Sequence, residues 1–125
     1  MPNFPLSEGY GFPRTARLLT RGDFDRVFQS GTHCRFGILH LAALQRESGP
    51  CRLGVVLSRK VGKAHDRNRL RRVIREAFRL DILPKAEGWD LVVRFSPGAG
   101  STPSRKVRNQ LLAAVQKIGV LSTLP

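Results

Sequence analysis

Acidic residues are scarce in this chain: nine Asp and Glu stand against 22 Lys and Arg in 125 residues, a formal net charge of +13. That imbalance excludes an electrostatically self-balanced protein and leaves RNA, DNA or an anionic membrane as the partner. Long apolar runs are missing as well. A membrane protein needs a long apolar span or a basic helix with a large exposed apolar face, and no stretch approaches the roughly 20 apolar residues of a span, which places the membrane last. Cys34 and Cys51 have no CxxC spacing and no neighbouring ligands, which excludes a zinc module or a disulfide framework and leaves two buried thiols. Residues 1–14 are broken by Pro2, Pro5, Glu8, Gly9, Gly11 and Pro13, so no secretory signal is seen and a cytoplasmic protein is expected. Catalytic groupings are wanting too. His33, His40 and His65 are scattered, Asp23 and Asp25 face different sides of a short helix, Asp66 is placed to cap a helix, and no glycine-rich phosphate loop occurs. No catalytic residue and no intrinsic metal site is expected.

What is present is arginine. The thirteen residues Arg67–Arg79 carry six arginines threaded through a helical pattern in which Leu70, Val73, Ile74, Ala77 and Phe78 form one buried stripe. At roughly 100° per residue, Asn68, Arg71, Arg72, Arg75 and Arg79 share about a third of the circumference. One acid, Glu76, is available to pair with Arg72 across a turn. A merely solvated helix face mixes both signs, so this one predicts a polyanion, and arginine's planar fork suits phosphate.

The remaining pattern predicts one domain over 15–120, between an irregular arm, 1–14, and a short tail, 121–125. Thr20 with Asp23 is a capping-box variant, and Leu19 with Phe24 a hydrophobic staple, for a helix over 21–30 that Gly31 ends in a left-handed conformation. Residues 33–45 read as one strand with Phe36, Ile38, His40 and Ala42 on one face and Leu39, Leu41 and Ala43 on the other. After Ser48-Gly49-Pro50, residues 52–58 form a second strand expected to pair antiparallel with the first. The arginine helix starts between Lys63 and Asp66 and ends near Asp81, before Pro84. Residues 89–95 form a strand, and a last helix is capped by Thr102 with Pro103 at its first position and a core stripe of Val107, Leu111, Ala114, Val115 and Ile118. Phe24 and Phe28, one turn apart beside Val27, are core residues by pattern, or a stacking platform for unpaired bases. The order of elements indicates an α+β sandwich with helices packed on a sheet.

These residues carry a family resemblance. Arg67-Asn68-Arg69, Leu70-Arg71-Arg72 and Arg75-Glu76-Ala77-Phe78, preceded by Leu53-Gly54-Val55 and Arg59-Lys60-Val61-Gly62 and joined by Arg17-Leu18, Asp23-Phe24 and Val27-Phe28, resemble the protein subunit of bacterial ribonuclease P over nearly the whole chain. The resemblance implies a two-layer α/β sandwich, αβββαβα, with about four strands, three helices and a left-handed crossover at the arginine helix. Residues 33–45, or the turn near 58–62, would supply the fourth strand. It implies that catalysis, the removal of the 5′ leader from precursor tRNA, belongs to an RNA subunit and its Mg2+ ions, with this protein as a monomer in a 1:1 complex. Arg67, Asn68, Arg69, Arg71, Arg72 and Arg75, with Arg59, Lys60 and Lys63, would then meet the RNA subunit. Phe24, Phe28 and His40 would line the leader cleft, His40 or Ala42 standing where relatives often place an aromatic. Rival functions are a ribosomal or assembly protein and a protein-only nuclease using Asp66 and His65.

Overall fold

Thr20 opens the first helix as its sequence predicts. Its Oγ1 accepts from the Asp23 backbone N–H at 3.1 Å while Asp23 Oδ2 accepts from the Thr20 N–H at 3.3 Å, a reciprocal box that satisfies two otherwise orphaned donors. The computed structural model describes Arg17 and residues 20–120. The predicted arm 1–14, the tail 121–125 and Leu19 of the predicted staple lie outside the described residues.

The first helix, α1, spans Arg21–Ser30. It is followed by β1 (Thr32–Phe36), β2 (Leu39–Pro50), β3 (Arg52–Val55), α2 (Ala64–Ala77), β4 (Glu87–Phe95) and α3 (Ser104–Ile118). A 3₁₀ turn at Arg59–Val61 precedes α2, a π turn at Phe78–Ile82 extends it, and a second 3₁₀ turn at Ala99–Ser101 precedes α3. The sheet has four strands in the order β1-β2-β4-β3, which is the αβββαβα arrangement.

Two strand expectations are corrected. The stretch 33–45 is not one strand: a two-residue turn at Gly37 and Ile38 folds it into β1 and β2, with Phe36 opposite Leu39. That turn resets the alternation, so Phe36 and Ile38 join the larger core with Leu39 and Leu41 rather than sharing a face with His40 and Ala42. Nor do β2 and β3 pair with each other. β4 enters between them, antiparallel to β2 and parallel to β3, because both faces of Leu91, Val92 and Val93 are apolar and a central position is the one that buries them.

Each face of the sheet has its own core. Leu39, Leu41, Ala43, Leu53, Leu91 and Val93 meet Leu70, Ile74, Ala77 and Phe78 of α2 and Val107, Leu111, Ala114 and Val115 of α3. On the opposite face Val27 of α1 packs on Ala42 and Val92, flanked by the half-buried Phe24, Phe28, Leu44 and Val56. Helices thus lie on both faces of the sheet, α2 and α3 on one and α1, which covers β2 and β4, on the other, so the sandwich has one helix layer more than the two-layer arrangement expected.

Several local expectations change for physical reasons. Gly31 ends α1 in an extended conformation, φ −84°. Glycine is needed there for space: a Cβ would stand 2.5 Å from the Val27 carbonyl oxygen and 2.7 Å from that of Ala43. Lys63, not Asp66, is the N-cap of α2, and Asp66 lies in the first turn, where the helix dipole favours its charge without a side-chain cap bond. Pro103 takes the N-cap position of α3, one residue later than predicted. Among the described residues no ion pair joins Glu76 to Arg72. Both cysteines are free, Cys51 buried and Cys34 half-buried; burial pushes the Cys51 thiol up, towards an inert group.

Candidate nucleic-acid interface

Burying the stripe Leu70, Ile74, Ala77 and Phe78 turns the basic side of α2 outward, but not every arginine on it is free to meet a ligand. Arg67 Nη1 donates to the Gly62 carbonyl at 2.8 Å. Arg69 donates through Nη1 to Ser104 Oγ at 2.8 Å and through Nη2 to the carbonyls of Gly100 at 2.7 Å and Thr102 at 2.8 Å. These two guanidinium groups brace the start of α2 against its approach loop and the segment leading into α3. The chain passes there at close quarters: a Cβ on Gly100 would lie 2.9 Å from the Val61 carbonyl oxygen and 3.1 Å from Asp66 Cβ.

The rest of the predicted set is more open. Asn68 and Arg72 are exposed, and Arg71, Arg75 and Arg79 are half-exposed. Asn68 Oδ1 accepts from Arg71 Nη1 at 3.1 Å, which steadies one guanidinium along the helix surface. Arg59, Lys60 and Lys63 are exposed on the segment that enters α2. His65 is also exposed, 3.7 Å from Asp66 Oδ1. Among the described residues no three of His, Cys, Asp and Glu come together as a metal site, at that pair or elsewhere.

Across the sheet, α1 and the strand residues beneath it make a second basic surface. At one end Asp90, fully buried, faces three arginines. Arg52 holds it with Nε on Oδ1 and Nη2 on Oδ2, both at 2.8 Å, and Arg26 Nη2 donates to Oδ2 at 3.0 Å. Arg46 Nε stands 2.8 Å from Oδ1, an ion pair without hydrogen-bond alignment. Burial pushes Asp90 up, yet the hydrogen bonds of Arg52 and Arg26 and the charges of Arg52 and Arg46 outweigh it and hold its pKa below the usual carboxylate value. Through Arg26, which also meets Asp23 at 3.2 Å, this cluster ties α1 to the sheet.

The other end holds the predicted cleft residues in unpredicted company. Arg94 Cζ lies 4.5 Å from the centroid of the Phe28 ring, a cation–π contact. Arg94 Nη2 is 2.9 Å from His40 Nδ1, His40 Nε2 is 3.0 Å from His33 Nδ1, and His33 Nε2 is 2.9 Å from the Phe28 carbonyl oxygen. Phe28 and His40 are thus brought together, and Phe24 lies one turn away in the same apolar cluster. Both rings are half-buried, so the core role that the pattern suggests and an accessible edge coexist. His33, Arg35 and Arg94 were not singled out by the sequence. Their one legible signal is strand alternation, which sets Arg94 opposite His40 and Arg35 beside it once the register is known.

The comparisons with known proteins agree with one another. Residues 12–119 match the family model described as Ribonuclease P. The chain is 34% identical over 109 residues to the ribonuclease P protein component of Desulforapulum autotrophicum, covering 87% of this chain and 93% of that one. It is 38% identical over 105 residues to the protein of the same name from Chlamydia trachomatis serovar L2, covering 82% and 85%. Among solved structures, the RNase P protein of Thermotoga maritima superposes with a TM-score of 0.72 at 31% identity, covering 82% of this chain and 96% of that one. The Staphylococcus aureus RNase P protein, at 24% identity and a TM-score of 0.78 over 86% and 98%, has the same fold.

Proposed function

The chain belongs to the ribonuclease P protein component family, and on that premise we propose that it assists a catalytic RNA in removing the 5′ leader from precursor tRNA in the cytoplasm. It acts as one protein per RNA subunit and carries no catalytic residue itself. The exposed and half-exposed cations Arg71, Arg72, Arg75, Arg59, Lys60 and Lys63, with Asn68, meet the RNA subunit, while Arg67 and Arg69 keep the helix start in place for them. The groove along α1, at Phe24, Phe28 and His40, takes the single-stranded leader.

The observation that carries this reading is the two-sidedness of the molecule. One basic helix lies on one side of the sheet, and an aromatic, cationic groove on the other, so RNA subunit and substrate can be held together. Magnesium enters through the RNA. The described residues offer no donor cluster to hold it; the chain's contribution is to neutralise phosphates so that fewer ions are required, and this widens the range of tolerated substrates. No helix among the described residues is long and apolar enough to cross a membrane.

Cleavage of precursor tRNA by the RNA subunit, the protein and both together, over a magnesium series, tests the reading. RNA-dependent cleavage restored by the protein at low magnesium is the expected result. Cleavage by the protein alone, or no rescue, would overturn it.

A further inference from the structure

The bonds linking Phe28, His33, His40 and Arg94 admit one arrangement of protons. The Phe28 carbonyl only accepts, so His33 Nε2 carries a proton towards it. In a neutral His33 the Nδ1 is then an acceptor, and His40 Nε2 donates to it. That leaves His40 Nδ1 to accept from Arg94 Nη2. Burial first, and then the charge of Arg94, hold the His40 pKa below its usual value, in keeping with a His40 Nδ1 that accepts from that guanidinium. The two rings form a hydrogen-bonded relay from the Phe28 carbonyl to Arg94. They fix the place of one guanidinium.

That guanidinium opens on a cavity of about 240 Å³ lined by Arg35, His40, Arg94, Phe95, Ser96 and Pro97. Arg35 comes from β1 and Arg94 from β4, on either side of His40 in the register. Among the described residues neither arginine has a carboxylate partner. The contrast with the other end of the same face is instructive: there Arg26, Arg46 and Arg52 converge on Asp90, which compensates them. At this end Arg35 and Arg94 line one open cavity with no carboxylate against them among the described residues, and Arg94 lies on the Phe28 ring. Charge and fork geometry suit a phosphate, and the neighbouring ring suits the base attached to it.

We propose that this cavity seats a phosphodiester of single-stranded RNA, gripped by Arg35 and Arg94, with His40 and His33 as the positioning residues that aim Arg94. The inference rests on the leader-binding reading and assigns to that groove a phosphate seat; a phosphodiester of the RNA subunit is the alternative source of the same group.

Binding by the reconstituted holoenzyme, measured for precursor and for mature tRNA over a series of salt concentrations, separates these cases. Arg35→Ala and Arg94→Gln are each expected to flatten the salt dependence for precursor by about 0.7 log unit per decade and to leave mature tRNA unchanged. His40→Ala, which keeps both charges, is expected to weaken precursor binding several-fold, and His40→Asn, whose Oδ1 can accept in place of Nδ1, to restore it. Arg35 is exposed, so its variant tests the seat even where an Arg94 variant unfolds. An unchanged slope for precursor, an equal change for mature tRNA, or weakened assembly with the RNA subunit alone would each overturn the proposal. Phe24→Ala serves as the reference. If it lowers discrimination between the two substrates and the arginine variants do not, the phosphate seat fails alone; if none of the variants lowers it, the leader-binding reading fails with it.

Discussion

At the scale of single residues, Asp90 and His40 govern the two ends of one sheet face by opposite means. Asp90 is a buried charge that three arginines need, so Asp90→Asn leaves them crowded around a neutral amide. The loss should be about 3 kcal/mol, the low end for breaking a buried pair because the arginines themselves reach solvent, and urea unfolding measures it. His40 is held neutral. With its folded pKa below the ordinary 6.5, the unfolded chain binds the extra proton first, so its contribution to stability is complete above about pH 6.5 and is lost as the pH falls below it. Asp90 and Asp23 have pKa values below the ordinary 3.8, so their contribution is present above that value and is lost only in stronger acid, as the pH falls through the folded pKa. Acid unfolding should therefore show a loss in mild acid that His40→Asn reduces and a later one that it leaves alone; identical pH profiles for the variant and the parent would contradict this.

At the scale of elements, contact distances decide what can be changed. A methyl group at Gly31 has no room between the carbonyls of Val27 and Ala43, so Gly31→Ala must lift α1 from β2 at a cost of about 1–3 kcal/mol, readable as a lower urea midpoint. The helices were legible in the sequence because each is a local object. Thr20 and Asp23 announce α1, and the stripe from Leu70 to Phe78 announces α2, with nothing needed from elsewhere in the chain. Strand order was not legible, since the choice of β4 as the neighbour of both β2 and β3 depends on residues 37 to 56 positions apart in sequence, from Pro50 opposite Glu87 to Leu39 opposite Phe95. The same division holds for the interface. The α2 arginines were legible as one helix face, although not the inward turn of Arg67 and Arg69, which depends on the carbonyls of Gly62, Gly100 and Thr102. The grouping of Arg94, His40, His33 and Phe28 draws on four elements, and the turn at Gly37 and Ile38 hides its alternation.

At the scale of the whole molecule, basic side chains lie on both sides of one sheet, those of α2 on one and Arg35 and Arg94 with α1 on the other, so the two proposed RNA contacts should be separable. Arg71→Ala with Arg72→Ala is expected to weaken association with the RNA subunit and to flatten its salt dependence by about 0.7 to 0.9 log unit per decade for each lost phosphate contact, with the ratio of precursor to mature tRNA affinity unchanged. Filter binding over a salt series reads both quantities, and an unchanged slope would remove these residues from the interface. The strand order has a further consequence for how the protein is made. β4 hydrogen-bonds on both of its edges, to β2 and to β3, yet it is the last strand to leave the ribosome. Until residue 95 has emerged, the nascent chain carries the arginine helix without the completed sheet that supports it.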